Sequence, residues 1–290
     1  MDQLLSQLVL GVVSGALLVL LALGLNLIFG LLEFINFAHG ALYMVGAYLT
    51  SYLAVATGTI WLALLVVPVA MALIGVGLER TLIRPMYGRD QVDALLLTFG
   101  LTYILIEGVR YLAGSGGRRV PAPELLRFQV DLGLGRPVPA YLLFVVVAVA
   151  LVVGGLWLFL QKTNVGLIVR AGIRDHVMIR ALGVRFDRYR TLVFAIGIAV
   201  AGIAGVLTGP ITGVFPEMGA DILILAFVVV VVGGMGSFWG AVVAGLLIGV
   251  LVSVTTLYAS VYAGIVPFVL MILVMTFRPR GLLPRGWSSS

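Results

Sequence analysis

No cysteine occurs in the 290 residues, which excludes a disulfide framework, a thiolate metal site and a thiol nucleophile. Charge is nearly as scarce. Only 10% of residues are charged, against about a quarter in an ordinary soluble domain. The single lysine, Lys162, follows Gln161, so the Gly-Lys pair of a phosphate-binding P-loop is missing. There is no H-E-x-x-H motif, no serine in a G-x-S-x-G elbow, and the two histidines, His39 and His176, are far apart in the chain. No catalytic constellation remains, so neither an enzyme nor a cofactor is expected. The 12 acids sit mostly at segment edges, such as Glu79 beside Arg80 and Glu107 three residues before Arg110. A carboxylate in mid-span would suggest a proton relay. None is read here, so the energy for any active transport is expected to come from another chain.

What is present is apolar. The hydrophobic share is 62% and the mean hydropathy is +1.20. A soluble protein could not cover its surface with this composition, whereas a bilayer suits it. Spanning structures are helices or closed barrels. Barrel strands alternate over about ten residues, but the runs here are continuous and long enough for helices. The predicted fold is an all-α polytopic membrane helix bundle, a single domain over 1–290. Apolar segments fall at 8–30, 40–57, 60–79, 94–113, 139–160, 191–213, 222–234, 238–257 and 260–277, giving eight or nine transmembrane segments. The opening MDQLLSQ lacks the basic region of a cleaved signal peptide, so the first segment is expected to be retained.

The net charge of +6 does not indicate nucleic acid, because the basic residues follow the loops. Arg80, Arg84 and Arg89 lie in 80–93, seven basic residues lie in 161–190, and Arg278, Arg280 and Arg285 lie in the tail. Even numbers of spans separate these regions, so all three face the cytoplasm under the positive-inside rule. That puts segment 114–138 outside despite Arg118, Arg119, Arg127 and Arg136. Glycines recur four apart within apolar runs: Gly11 and Gly15, Gly236 and Gly240, Gly245 and Gly249. Such spacing lets membrane helices pack closely.

The cytoplasmic stretch TNVGLIVRAGIRDHVMIRALGVRFDRYR predicts short helices. Thr163 or Asn164 is the expected N-cap. Val177, Met178, Ala181 and Leu182 form an apolar stripe, Arg180 stands in the last turn, and Gly183 follows as a left-handed stop. This reads either as a surface helix or as a docking helix for a cytoplasmic partner, with Asp175 at one end.

Three stretches carry a resemblance: GLNLIFGLLEFINFAHGALYMVGAY (24–48), VRAGIRDHVMIRALGV (169–184) and ILAFVVVVVGGMGSFWGAVVAGLLIG (224–249). The chain resembles the permease subunits of branched-chain amino acid ABC importers, of the LivH type. The resemblance implies a bacterial inner-membrane system with a periplasmic substrate-binding protein, a second, LivM-like permease and two cytoplasmic ABC ATPases. It also implies that Arg170, Ala171, Arg174, Asp175 and Gly183 couple the permease to its ATPases. Leu167 and Ile168 depart from a position where many relatives carry a basic residue, and Ile179 from one that is often alanine. Similar permeases serve branched-chain amino acids, urea, short amides or aromatic acids, so the substrate stays open at this point, as does an autonomous small-solute facilitator.

NFAHG at 36–40 is the polar interruption between the first two segments. On a helix Asn36, Gly40, Tyr43 and Ala47 share a face. Two readings compete. Asn36 and His39 hydrogen-bond nearby backbone and fix the turn, or Asn36, Phe37, His39, Gly40 and Tyr43 line a translocation path or its gate near the cytoplasmic side. A metal ion is not expected on His39, because no second ligand is in view.

Overall fold

The computed structural model describes residues 2–32, 34–131, 133 and 137–283. Glu33, Arg136 and Arg285 lie outside the described residues. All nine apolar segments are helical. The helices are α1 (Asp2–Leu32), α2 (Ala38–Thr57), α3 (Trp61–Leu78), α4 (Gln91–Ala113), α5 (Ala140–Lys162), α6 (Asn164–Arg174), α7 (His176–Ala181), α8 (Phe186–Thr212), α9 (Met218–Gly233), α10 (Phe238–Ala259) and α11 (Val266–Phe277). Among the described residues seven helices are long and apolar enough to cross a membrane. The other two apolar segments are shorter. α9 has 16 residues and α11 has 12, about 24 and 18 Å at 1.5 Å per residue, against a hydrocarbon core of about 30 Å.

Burial grades the long helices, with α10 intermediate at 39%. The most apolar stretches of α1, α2 and α8 are 67%, 61% and 78% buried, while those of α3, α4 and α5 are 22%, 22% and 28% buried. The first three form the centre of the bundle, with α8 packed on α1, α2 and α3. The outer helices expose Leu65, Leu73, Ile104 and Leu151. Those side chains suit lipid, which solvates apolar surface as well as a protein core does.

Close approach comes from glycine. The backbone of α10 at Gly249 lies so near α1 that a Cβ there would stand 2.3 Å from Gly15 Cα and 2.5 Å from Gly11 O. A Cβ on Gly245 would meet Val19 at 2.7 Å, and one on Gly240 would meet Gly233 O at 2.0 Å. Gly236 does not continue this stripe as its spacing predicts. It precedes α10 in a turn with φ +77°, a conformation that favours glycine. Spacing alone does not distinguish a helix from the turn before it.

Among its described residues, segment 114–138 holds a 3-10 turn over Glu124–Leu126 and a short antiparallel pair, β1 (Gln129–Val130) with β2 (Val138–Pro139). It is tied down at Arg118, whose backbone bridges Val214 in both directions. The Arg118 guanidinium lies 4.4 Å from the Tyr52 ring centroid and donates to Ala113 O. Arg127 pairs with Glu124 at 3.5 Å. These two cations are thus engaged within the protein. Beside them Arg110 bonds both Glu107 and Glu217, and it holds the Glu217 carboxyl below its usual range. That bond is therefore complete above the ordinary carboxylate range and is lost as pH falls through the depressed value.

Candidate functional site

The start of α2 is buried. Asn36, His39 and Tyr43 are 1%, 0% and 3% exposed. Asn36 Oδ1 accepts from Ala38 N at 3.1 Å, and its backbone oxygen accepts from His39 N at 3.2 Å. The ring of His39 reaches across to α1, with Nε2 3.2 Å from Leu21 O. Leu21 lies eleven residues before the end of α1, about 16 Å of helix. The chain after Leu32 therefore turns back, and α2 begins inside the bundle beside the middle of α1. Gly40 lets α2 touch α9, since a Cβ would stand 2.1 Å from Gly219 O. A Cβ on Gly205 of α8 would stand 2.7 Å from Tyr43 O, and Phe37 meets Phe99 of α4 edge-on at 6.2 Å. The five residues at this start thus join α2 to α1, α4, α8 and α9. Among the described residues, Asn36 Nδ2 and His39 Nδ1 have no hydrogen-bond partner.

The first and third sequence stretches meet at Asn26. Its Nδ2 donates to Ser237 O at 2.8 Å, and its Oδ1 accepts from Gly236 N at 2.5 Å. One buried amide thus satisfies two backbone groups of the α9–α10 turn. Ser237 then caps α10 by accepting from Gly240 N at 3.1 Å. Sequence reasoning missed Asn26, because an isolated amide in an apolar run does not indicate which distant backbone it bonds. Asn26→Leu leaves both backbone groups unpaired. It is expected to cost about 2 kcal/mol, read as a lower thermal midpoint in detergent. An unchanged midpoint would discount the latch.

The basic segment folds as two capped helices. Thr163 Oγ1 accepts from Gly166 N at 3.0 Å and starts α6, as the sequence indicates. Ala171 O ends α6 by accepting from Asp175 N at 2.9 Å, and Asp175 Oδ1 accepts from Met178 N at 2.8 Å to start α7. Gly183, at φ +80°, is the left-handed stop after α7. Val169 is fully buried, and Gly172 lies against Phe186, whose ring a Cβ would meet at 2.1 Å. This face seats α6 on the bundle. The opposite side exposes Leu167, Met178 and Leu182 at 58%, 58% and 71%. Arg170 turns back toward α5 and bonds Gln161. Arg174 lies in the last turn of α6.

Sequence reasoning also missed a buried ion pair. Glu79 stands in a π turn that extends α3 over Glu79–Ile83, and its side chain is 0% exposed. It accepts from Arg84 Nη2 at 3.0 Å, Arg84 Nε at 3.3 Å, Thr191 Oγ1 at 2.8 Å and Tyr87 Oη at 3.0 Å. Burial and then the Glu79 charge push the Tyr87 hydroxyl above its usual range. Arg190 stacks over Tyr87 at 4.6 Å. The cluster ties the end of α3 to the start of α8, directly after the α6–α7 segment. Glu79 lies at the edge of an apolar run, so only its tertiary partners reveal that it is buried.

Among the described residues no cluster of three or more metal-ligating side chains occurs. No solved structure matches the chain. The family described as "Branched-chain amino acid transport system / permease component" matches residues 7–275. The chain is 33% identical to the high-affinity branched-chain amino acid transport system permease protein BraD of Pseudomonas aeruginosa, over 97% of this chain and 96% of that one. It is equally similar to the permease protein LivH of Escherichia coli, with the same identity and coverage. Its likeness to the permease protein LivM of Escherichia coli is weaker, 28% over 92% of this chain and 67% of LivM. A buried helical bundle with capped helices at its basic end is the architecture on which these likenesses fall, and the chain belongs to the family of branched-chain amino acid transport system permease components.

Proposed function

We propose that this chain is one permease subunit of an ATP-binding-cassette importer in the bacterial inner membrane, carrying branched-chain amino acids into the cytoplasm by alternating access. The likeness to LivH and BraD over nearly the whole length carries this reading. The partners would be a second, LivM-like permease, two cytoplasmic ATPases and a periplasmic substrate-binding protein. ATP hydrolysis belongs to the ATPases, since this chain has no Gly-Lys pair to hold the phosphates.

The α6–α7 segment would be the ATPase contact. Leu167, Met178 and Leu182 are exposed there on short capped helices, and large apolar side chains presented on a rigid support suit insertion into a partner's groove. Asp175 and Gly183 would set the ends of these helices, Ala171 and Arg174 would belong to the contact, and Arg170, turned back to Gln161, would steady α6 from behind. The α2 start would act as a gate. Asn36, Phe37, His39, Gly40 and Tyr43 join four helices there, so a shift of α8 or α9 would move α2 with it.

Affinity purification of the tagged chain from native membranes tests the reading. A second permease and two ATPases are expected, with ATPase activity raised by a binding protein loaded with leucine. Recovery of this chain alone, with uptake intact in liposomes, would instead make it a facilitator. Asp175→Ala removes the α7 cap and is expected to lower transport at least tenfold at normal membrane abundance. Unimpaired uptake would take Asp175 out of the coupling contact.

A further inference from the structure

The face of α6 that seats on the bundle leads into a continuous line of contacts. Gly172 lies against the Phe186 ring, and Phe186, the first residue of α8, is buried. One helical turn on, Arg190 stands on the same face of α8. Its Cζ lies 5.3 Å from the Phe186 ring centroid and 4.6 Å from that of Tyr87. It also pairs with Asp187 at 3.7 Å, and its side chain is only 12% exposed. The charge therefore rests on the rings with little water about it, where a cation–π contact is strongest. Tyr87 Oη donates to Glu79 at 3.0 Å, and Thr191, the residue after Arg190, donates to the same carboxylate at 2.8 Å. The line thus runs from α6 through the root of α8 to the π turn that ends α3, and closes back on α8.

Two features set this line apart from ordinary packing. A π turn is rare, and where one occurs it is frequently at a functional site. Here it covers Glu79–Ile83 and carries the carboxylate that holds α3 to α8. The second feature is the reach of α8, whose 27 residues span about 40 Å. Farther along that helix a Cβ on Gly202 would stand 2.8 Å from Met71 of α3, and one on Gly205 would stand 2.7 Å from Ala47 N of α2. Backbone contacts this close leave little room for α8 to shift without moving its neighbours. A displacement applied at Phe186 therefore reaches α2.

We propose that Arg190, stacked on Phe186 and Tyr87, is a positioning residue that transmits movement of the α6–α7 segment to α8 and α3, and through them to the α2 start. The proposal rests on the reading of α6–α7 as the ATPase contact. Glu79 clamps α3 to α8, so the two helices shift together, and the Arg190 stack joins that pair to α6. A planar guanidinium stacks on aromatic faces in a way that an ammonium does not, so the stack depends on arginine and not merely on a positive charge.

The test uses the complex purified with its ATPases, in proteoliposomes supplied with a leucine-loaded binding protein. Leucine uptake and ATP hydrolysis are read in the same vesicles. ATP-driven uptake by the unaltered complex is expected, and its absence would overturn the importer reading and this proposal with it. Where that uptake is present, the variants address the proposal alone. Arg190→Met keeps the length of the side chain and loses the charge, and Tyr87→Leu loses the ring. Each should lower uptake per ATP hydrolysed about fivefold, the scale of changes along a coupling network, with hydrolysis itself maintained. The double variant should fall no further than the lower single one, because the two side chains share one contact. Tyr87→Phe keeps the ring and should keep most of the ratio. Arg119→Gln, at an exposed cation of the 114–138 loop, should leave it unaltered. If Arg190→Met or Tyr87→Leu does not fold, Arg190→Lys and Phe186→Leu take their places and should lower the ratio too. A ratio unchanged in the stack variants overturns the proposal. Losses that add in the double variant overturn it by making the contacts independent. Uptake and hydrolysis that fall in proportion overturn it by making the stack a support for the fold or for ATPase docking.

Discussion

Arg84→Leu is expected to destabilise the protein by about 3 kcal/mol, because it leaves the Glu79 carboxylate buried without a counter-charge. Glu79 is fully enclosed and Arg84 is 39% exposed, so the value belongs at the lower end of the range for a broken buried pair. Thr191 and Tyr87 would still donate to the carboxylate, but two neutral hydrogen bonds do not replace a bidentate guanidinium. The double variant Glu79→Gln/Arg84→Leu removes both charges and is expected to regain most of the loss. Arg127→Leu is the control. It breaks an exposed pair and should shift stability by no more than about 0.5 kcal/mol. Thermal unfolding in one detergent compares all three, and equal midpoints for Arg84→Leu and Arg127→Leu would refute the buried-pair argument. The same variants bear on coupling, since this cluster anchors the root of α8 immediately after α6 and α7.

Gly249→Ala is expected to destabilise the protein by about 3 kcal/mol, the upper end of ordinary overpacking costs. Its Cβ would meet Gly15 Cα and N at 2.3 Å and Gly11 O at 2.5 Å. All three are backbone atoms, so no side-chain rotation relieves the clash, and α10 must move away from α1. That movement opens the longest helix contact in the bundle. Gly154→Ala provides the contrast. It is also a mid-helix glycine, but nothing lies within 4 Å of its Cβ. It should be neutral or stabilising by up to about 1 kcal/mol through helix propensity. Folded yield after detergent extraction separates the two, and similar yields would mean that α1 and α10 are not held at this distance.

The glycines show how far spacing alone reaches. Gly245 and Gly249 do pack between helices. Gly236, with the same spacing from Gly240, is a turn residue whose N–H bonds Asn26. A four-residue interval marks a small surface, and the partner that faces it belongs to another part of the chain. The two readings of NFAHG divide in the same way. Asn36 bonds backbone within the turn, whereas the His39 ring bonds Leu21 of α1, 18 residues away. The return of α2 to the middle of α1 depends on a contact with Leu21 that no local pattern encodes.

By itself the sequence determined the membrane character, the apolar helical segments, a cap at Thr163 or Asn164, the stop at Gly183, and the family. Each of these follows from local composition, from neighbours a few residues apart, or from long matching motifs. Only the tertiary structure decided that Glu79 is buried, that Asn26 holds the α9–α10 turn, and that Arg170 turns back to bond Gln161. Those features join residues between 5 and 211 positions apart. Their energies come from desolvation and from atoms of distant segments brought into contact, and folding alone brings those atoms together.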